Sequence, residues 1–245
     1  MKKIALFIFA CLTIQCSSEM QQAPIAKKVK KVLEIHDDQR IDNYFWMRLS
    51  DEKKEAEQPD QQTQDVLDYL HAENDYRKHV MKPTEKLQKT IYDEIIGRIK
   101  QDDSSVPVTV NGYTYYTRFE KGQDYPYYCR EKAEDNAKEE VMLDVPTMAE
   151  GYAYYAIGGR SVSENNKILA YAVDTVSRRE YTLYFKNLET GEILSDKIEN
   201  TTGGITWAND NQTVFYVKKD PQTLRAYQIF KHRLGTDTSD DELVY

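Results

Sequence analysis

His71, Asp75 and His79 stand at i, i+4 and i+8, the kind of spacing by which side chains on one helix face can share a metal ion. At 1.5 Å per residue the two histidines are about 12 Å apart along the axis. That is too far for one ion, so a solvated helix face is expected and no metal. Asp102 and Asp103 could pass for a general acid and base, but Ser104, Ser105 and Pro107 beside them read as turn chemistry. Gly158-Gly159 and Gly203-Gly204 lack the lysine and helix that follow a phosphate-binding loop, so they read as connections between sheet elements. His36 and His232 have no nucleophile near them in sequence, which points to structural roles. No cofactor is expected.

The elements that would hold such residues change character near Pro107. Between residues 60 and 100 the apolar spacing is helical. Val66, Tyr69, Leu70, Tyr76 and Val80 form one stripe, and Leu87, Ile91, Ile95 and Ile99 recur every fourth residue in another. Pro83-Thr84-Glu85 reads as the break between two helices. Asp102 to Pro107 ends helical structure, because proline disfavours the α conformation in the residue before it.

After Pro107 the period becomes two. Tyr113, Tyr115, Thr117 and Phe119 fall on one face of a strand, Glu120 to Asp124 turns at Gly122, and Tyr125, Tyr127 and Cys129 continue as a second strand. The tyrosines of this hairpin are expected to pack as aromatic pairs across strands. "SENNKILAYAV" and "ANDNQTVFYVK" each repeat a polar turn and a strand, with Tyr171 and Tyr216 45 residues apart, and each is followed by a second strand. That period is the spacing of β-propeller blades, although WD and kelch signatures are missing. Residues 108–245 give about three blades, fewer than the roughly four to eight of closed propellers. The chain is therefore expected to be the front portion of a longer protein.

The first residues carry another message. Lys2 and Lys3 precede an apolar run from Ile4 to Ile14, too short for the roughly 20 residues a spanning helix needs. Residues 1–15 are thus expected to be an export signal. Thr13-Ile14-Gln15-Cys16 resembles a lipoprotein box, departing from it at Thr13 and Gln15, so Cys16 is the expected lipidation site and residues 16–27 a tether. Export, and possible membrane attachment through a lipid, follow from that reading. Apart from Cys11 and Cys16 the chain holds only Cys129, so the folded part can form no internal disulfide. A net charge of −8 argues against a nucleic-acid partner.

Longer segments carry a family resemblance. "DNYFWMR" (Asp42–Arg48) resembles the Asp-Pro-Tyr-Arg-Trp signature near the start of prolyl oligopeptidases. "AENDYRKHVM", "EIIGRIKQDDSSVP", "GYTYYTRFEKGQDYPYYCR", "SVSENNKILAYAVDTVSRREYTLYFKNLETGE" and "WANDNQTVFYVKKDPQTLRAYQIFKHRLGT" resemble the oligopeptidase B (protease II) subgroup. The resemblance runs from about residue 24 to the end. It implies a serine peptidase built from an α/β-hydrolase domain with a helical N-terminal extension and an inserted seven-bladed β-propeller. By that analogy residues 28–107 are the helical extension, and residues 108–245 are the first three or so blades, cut before the hydrolase domain. Tyr44, Phe45, Trp46 and the helix stripes would pack on that downstream domain.

A serine hydrolase of this kind needs its nucleophile in a G-x-S-x-G turn. None of the ten serines has glycines at both flanking positions, and Ser163 follows Gly159 at four residues, not two. No catalytic residue is expected in this chain. The reading is a mainly β protein with a helical N-terminal extension, the scaffold and size gate of an exported oligopeptidase that cleaves short peptides after Lys or Arg. By itself this portion would be inactive. The alternative is a non-catalytic extracytoplasmic propeller lipoprotein that binds peptide or glycan.

Overall fold

The computed structural model describes residues 22–220 and 222–245. These form two compact units that divide between Arg98 and Ile99.

The first unit opens with an antiparallel hairpin, β1 (Lys31–Ile35) and β2 (Asp38–Asp42), with Lys31 opposite Asp42 and Ile35 opposite Asp38. A helical extension over residues 28–107 did not foresee it. The turn is His36-Asp37, both with positive φ, the two-residue geometry usually made by Asn-Gly. Without either residue the turn leaves little mark in the sequence. A 3-10 turn at Phe45–Met47 follows, then α1 (Asp51–Lys54), α2 (Gln61–Met81) and α3 (Glu85–Arg98), the last two joined through a 3-10 turn holding Pro83. Asp60 caps α2 by accepting from the Thr63 amide at 2.8 Å and pairs with Lys53 at 2.7 Å. Trp46 is tied on both sides: its indole donates to the Lys27 carbonyl at 2.9 Å, and its own carbonyl accepts from Gln62 at 2.7 Å. The helical stripes lie on α2 and α3 except for Ile99, which follows the end of α3, but only Val66 of them is buried; Leu70, Val80, Leu87, Ile91 and Ile95 are exposed.

The second unit is β-sheet. In its first sheet β3 (Asp103–Ser104) and β4 (Val108–Val110) are two pieces of one inner strand along β5 (Tyr113–Phe119), followed by β6 (Tyr127–Lys132) and β7 (Glu140–Asp144). Asn111-Gly112, both with positive φ, make the two-residue turn from β4 to β5. A short helix, α4 (Val145–Met148), capped by Asp144, leads out of this sheet.

The second sheet runs in sequence order through β8 (Ala156–Val162), β9 (Ile168–Asp174), β10 (Tyr181–Asn187), β11 (Ile193–Trp207), β12 (Thr213–Lys219), β13 (Ala226–Arg233) and β14 (Glu242–Leu243). Strand β11 is long because it serves twice. Its start pairs with β10 (Ile198 opposite Leu183) and its end with β12 (Trp207 opposite Val214), with register shifts between. The sheet is thus two four-stranded blades sharing one strand, and with the first sheet it makes three blades of a propeller. Among the described residues these blades do not close into a ring.

The middle blade explains the packing. Leu169, Tyr171 and Val173 of β9 face one core with Met142, Leu143 and Val145 of the first blade. Ala170 and Ala172 face another with Leu183, Phe185, Val214 and Tyr216. Strand alternation sends the two sets to opposite faces, so both sides of β9 are buried. The expected equivalence of Tyr171 and Tyr216 is realised in the same contact: each stacks on its cross-strand partner, Tyr184 at 5.7 Å and Phe230 at 5.8 Å.

Candidate functional site

The tyrosine-rich hairpin forms with the expected first strand, but β6 starts at Tyr127 and leaves Tyr125 outside it. The expected aromatic pairs across strands do not form. Register places Tyr113 opposite Lys132, Tyr115 opposite Arg130, Tyr116 opposite Cys129, and Arg118 opposite Tyr127. The aromatic rings meet guanidinium groups instead. Arg118 lies 4.4 Å from the Tyr127 ring centre, Arg130 4.2 Å from Tyr113, and Arg160 of β8 3.7 Å from Tyr128, all within cation–π reach.

Two of these arginines are paired with carboxylates. Arg130, 2% exposed, donates to Glu140 at 2.7 Å and to the Asn166 carbonyl at 2.8 Å, which links the first blade to the first turn of the second. Arg118 grips Glu139 through Nε and Nη2 at 3.0–3.2 Å and also pairs with Glu120. That hydrogen-bonded guanidinium holds the Glu139 carboxyl below the usual range, while burial, and then the hydrogen bond to Glu139 at 2.6 Å, push the Tyr116 hydroxyl up. Burial likewise pushes the Cys129 thiol up to about 11, the environment of an inert structural cysteine.

Arg160 differs. It is exposed, its protein acceptor is the Gly158 carbonyl at 3.4 Å, and it pairs with no carboxylate among the described residues. It borders a cleft of about 550 Å³ between the first and second blades, walled by Val106, Val108, Val110 and Tyr128 and closed at the turn by Ser163 and Glu164. Such a cleft can hold a ligand; it offers no bond-breaking machinery. Ser163 is buried and spends its hydroxyl inside its own turn, donating to Asn165 at 2.7 Å and accepting from the Ile168 amide at 3.0 Å.

The other residues singled out in sequence fall as follows. Cys16 lies outside the described residues. His71, Asp75 and His79 are all exposed on α2, with Asp75 paired to Lys78 at 3.4 Å. Asp102 and Asp103 are not a catalytic pair: Asp102 accepts from the Lys121 amide at 2.8 Å, and Asp103 pairs with Lys100 at 3.0 Å, which lowers its pKa. Gly158 and Gly159 sit inside β8, and Gly203 and Gly204 inside β11, where two inner strands meet. A Cβ on Gly159 would lie 2.1 Å from the Gly203 carbonyl oxygen and one on Gly158 2.7 Å from the Tyr181 ring, so close backbone approach, not turn making, requires Gly159, and a packed ring requires Gly158. His36 is exposed at the β1–β2 turn.

His232 is the residue whose partners the sequence hid. It is fully buried, with Nδ1 2.6 Å from Asp241 and Nε2 3.1 Å from Asp196. Tyr216 donates to Asp241 at 2.7 Å, and the Gly235 amide to Asp196 at 2.5 Å. One partner is 36 residues away in sequence, beyond any local motif.

Blades joined through a shared strand, each stacking an aromatic pair between its second and third strands, define an open β-propeller segment. A family model described as "Prolyl oligopeptidase, N-terminal beta-propeller domain" matches residues 23–245, and the chain belongs to that family. It is 43% identical over 236 residues to dipeptidyl aminopeptidase BI of Pseudoxanthomonas mexicana and 32% identical over 229 residues to protease 2 of Moraxella lacunata. These alignments take in 90% and 91% of this chain and 31% of each relative, so the chain spans about a third of their length. Among solved structures, oligopeptidase B from Leishmania major superposes with a TM-score of 0.79 at 31% identity, over 91% of this chain and 32% of that one. The relation to oligopeptidase B expected from the quoted segments is thereby established.

Proposed function

We propose that this chain is the scaffold and entry gate of an exported serine oligopeptidase that hydrolyses short peptides. The observation that carries this reading is the family match over residues 23–245, together with two peptidases among the relatives. A downstream α/β-hydrolase domain would supply the chemistry. Its serine attacks the scissile carbonyl, a histidine takes and returns the proton, an aspartate orients that histidine, and backbone amides hold the oxyanion. The blades described above would limit by size what reaches that centre, and this portion by itself would hydrolyse nothing.

Cleavage after Lys or Arg is the first specificity reading, supported by the resemblance to oligopeptidase B. A second is favoured by the 43% identical relative, whose name states release of dipeptides from amino ends. The protein encoded by the complete reading frame separates them when given fluorogenic Arg-Arg and Lys-Lys amides with blocked and with free amino ends. Hydrolysis of the blocked substrates supports the first reading, and hydrolysis of the free ones alone supports the second. Activity on neither, or activity in the 245-residue chain by itself, overturns the proposal. For export and lipidation at Cys16, incorporation of labelled palmitate that is lost in Cys16→Ala is the expected result; equal labelling of the variant refutes it.

A further inference from the structure

We infer that the cleft between the first and second blades is a binding site for a short peptide with both termini free. In this arrangement the peptide carboxylate lies on Arg160 and its ammonium on Glu164.

The cleft's volume of about 550 Å³ falls in the range of roughly 300–1,000 Å³ typical of small-ligand sites. One wall is apolar: Val106, Val108 and Val110 alternate along the inner strand of the first blade and are 85%, 58% and 55% exposed. The charged lining is one cation and one anion. Arg118 and Arg130 each have carboxylate partners, whereas Arg160, 3.7 Å from the Tyr128 ring centre, has no carboxylate partner among the described residues. The cation–π contact with Tyr128 restricts that guanidinium, so less freedom is lost when a carboxylate docks on it. Glu164 has its backbone carbonyl engaged by Asn111 at 2.5 Å, while its exposed carboxylate forms no ion pair among the described residues.

Opposite charges on the lining, on two different residues, select against a simple anion or cation and favour a zwitterion. The four residue steps from Arg160 to Glu164 span at most about 13 Å in extended backbone. A free peptide of two to four residues, at roughly 3.3–3.6 Å per residue, bridges that range. The choice of ligand comes from the charge pattern and does not depend on the proposed peptidase activity.

The test is calorimetric titration of the full 245-residue chain with Ala-Val-Leu, its N-acetyl derivative and its C-terminal amide. Mass spectrometry checks that each peptide stays intact, and circular dichroism that each variant keeps its fold. The free tripeptide is expected to bind, and blocking either end to weaken binding at least tenfold. In Arg160→Gln the amide and the free acid should bind alike, and in Glu164→Gln the acetylated and free peptides should bind alike. Equal binding of all three peptides to the unaltered chain, or no binding at millimolar concentration, overturns the inference. So does a variant that loses affinity without losing its dependence on the matching terminus.

Discussion

Replacing His232 with leucine tests how the third blade is held. The imidazole lies between Asp241 and Asp196 and hydrogen-bonds to both, two acids whose side chains are 2% and 5% exposed. Leucine fills much of the same space against Phe185, whose ring lies 6.2 Å from the imidazole, and the cavity contribution is therefore small. What remains is two buried carboxylates without their common partner, a change that typically costs about 3–5 kcal/mol. Tyr216 still donates to Asp241 and Gly235 to Asp196, which places the expected loss near the lower end, about 3–4 kcal/mol. In a unit of this size that corresponds to a melting temperature lower by roughly 10 °C.

Urea and thermal unfolding followed by circular dichroism and tryptophan fluorescence would measure the loss. The triple variant Asp196→Asn/His232→Leu/Asp241→Asn removes both acids together with the ring between them and is expected to recover at least half of it. A cost below about 1 kcal/mol for His232→Leu, comparable to an exposed pair, would show that the cluster is not the fastening it looks like. A triple variant no more stable than the single one would show that packing, not charge, is what histidine supplies.

Other substitutions probe the rest of the chain. Gly159→Ala puts a methyl group 2.1 Å from the Gly203 carbonyl oxygen and should cost at least about 1–3 kcal/mol. Gly97→Ala in α3 meets nothing within 4 Å and should stabilise by up to about 1 kcal/mol; urea midpoints moving the other way would contradict both. At pH 8 the pKa of about 11 for Cys129, against an ordinary 9.0, leaves about 100-fold less thiolate. Alkylation of the Cys129 peptide, read by mass mapping, should therefore be at least that much slower in native than in unfolded chain, and equal rates would refute its burial. Asp60 is held down to about 2 from 3.8, first by Lys53 and then by the Thr63 amide. Its folded pKa lies below the unfolded one, so its contribution is complete above about 4 and is lost as pH falls through about 2. Helical signal should fall over that window, and in Asp60→Asn, which still caps, that fall should flatten; an unchanged acid profile would argue against a contribution from the Asp60 charge.

What could be read in advance was whatever repeats locally. The switch from helical spacing to alternation at Pro107, the break at Pro83 and the 45-residue return of Tyr171 at Tyr216 each lie within one or two elements, and the fold follows them. The His36-Asp37 turn was missed because a type I′ turn without Asn or Gly has no compositional mark. The tyrosine–arginine stacks were missed for another reason. Alternation says which face a residue takes, but only the strand register decides that Tyr127 meets Arg118 and not another aromatic ring. His232 and Arg160 depend on partners from other hairpins, so their surroundings exist only once the blades are stacked.

That stacking also accounts for how faint the repeat is. The apolar cores on either side of β9 would accept many neighbours, since leucine and valine surfaces discriminate poorly. The polar ties between blades are more selective in position, and six of them share one form: a side-chain donor on one blade reaches a backbone carbonyl of its neighbour. Arg130 reaches Asn166, Asn111 reaches Glu164, Asn166 reaches back to Asn111, Lys186 reaches Met142, Trp207 reaches Ser161, and Lys219 reaches Arg179. A carbonyl is present whatever residue carries it. The accepting blade therefore needs the right backbone path but no particular side chain at that point, and its sequence is free to vary. Only the donors and the left-handed turn positions Asn111, Asn166 and Asn211 stay constrained, because asparagine tolerates that backbone region where most residues are strained. A propeller fastened in this way keeps its blade period while losing the per-blade signature by which WD and kelch repeats are recognised.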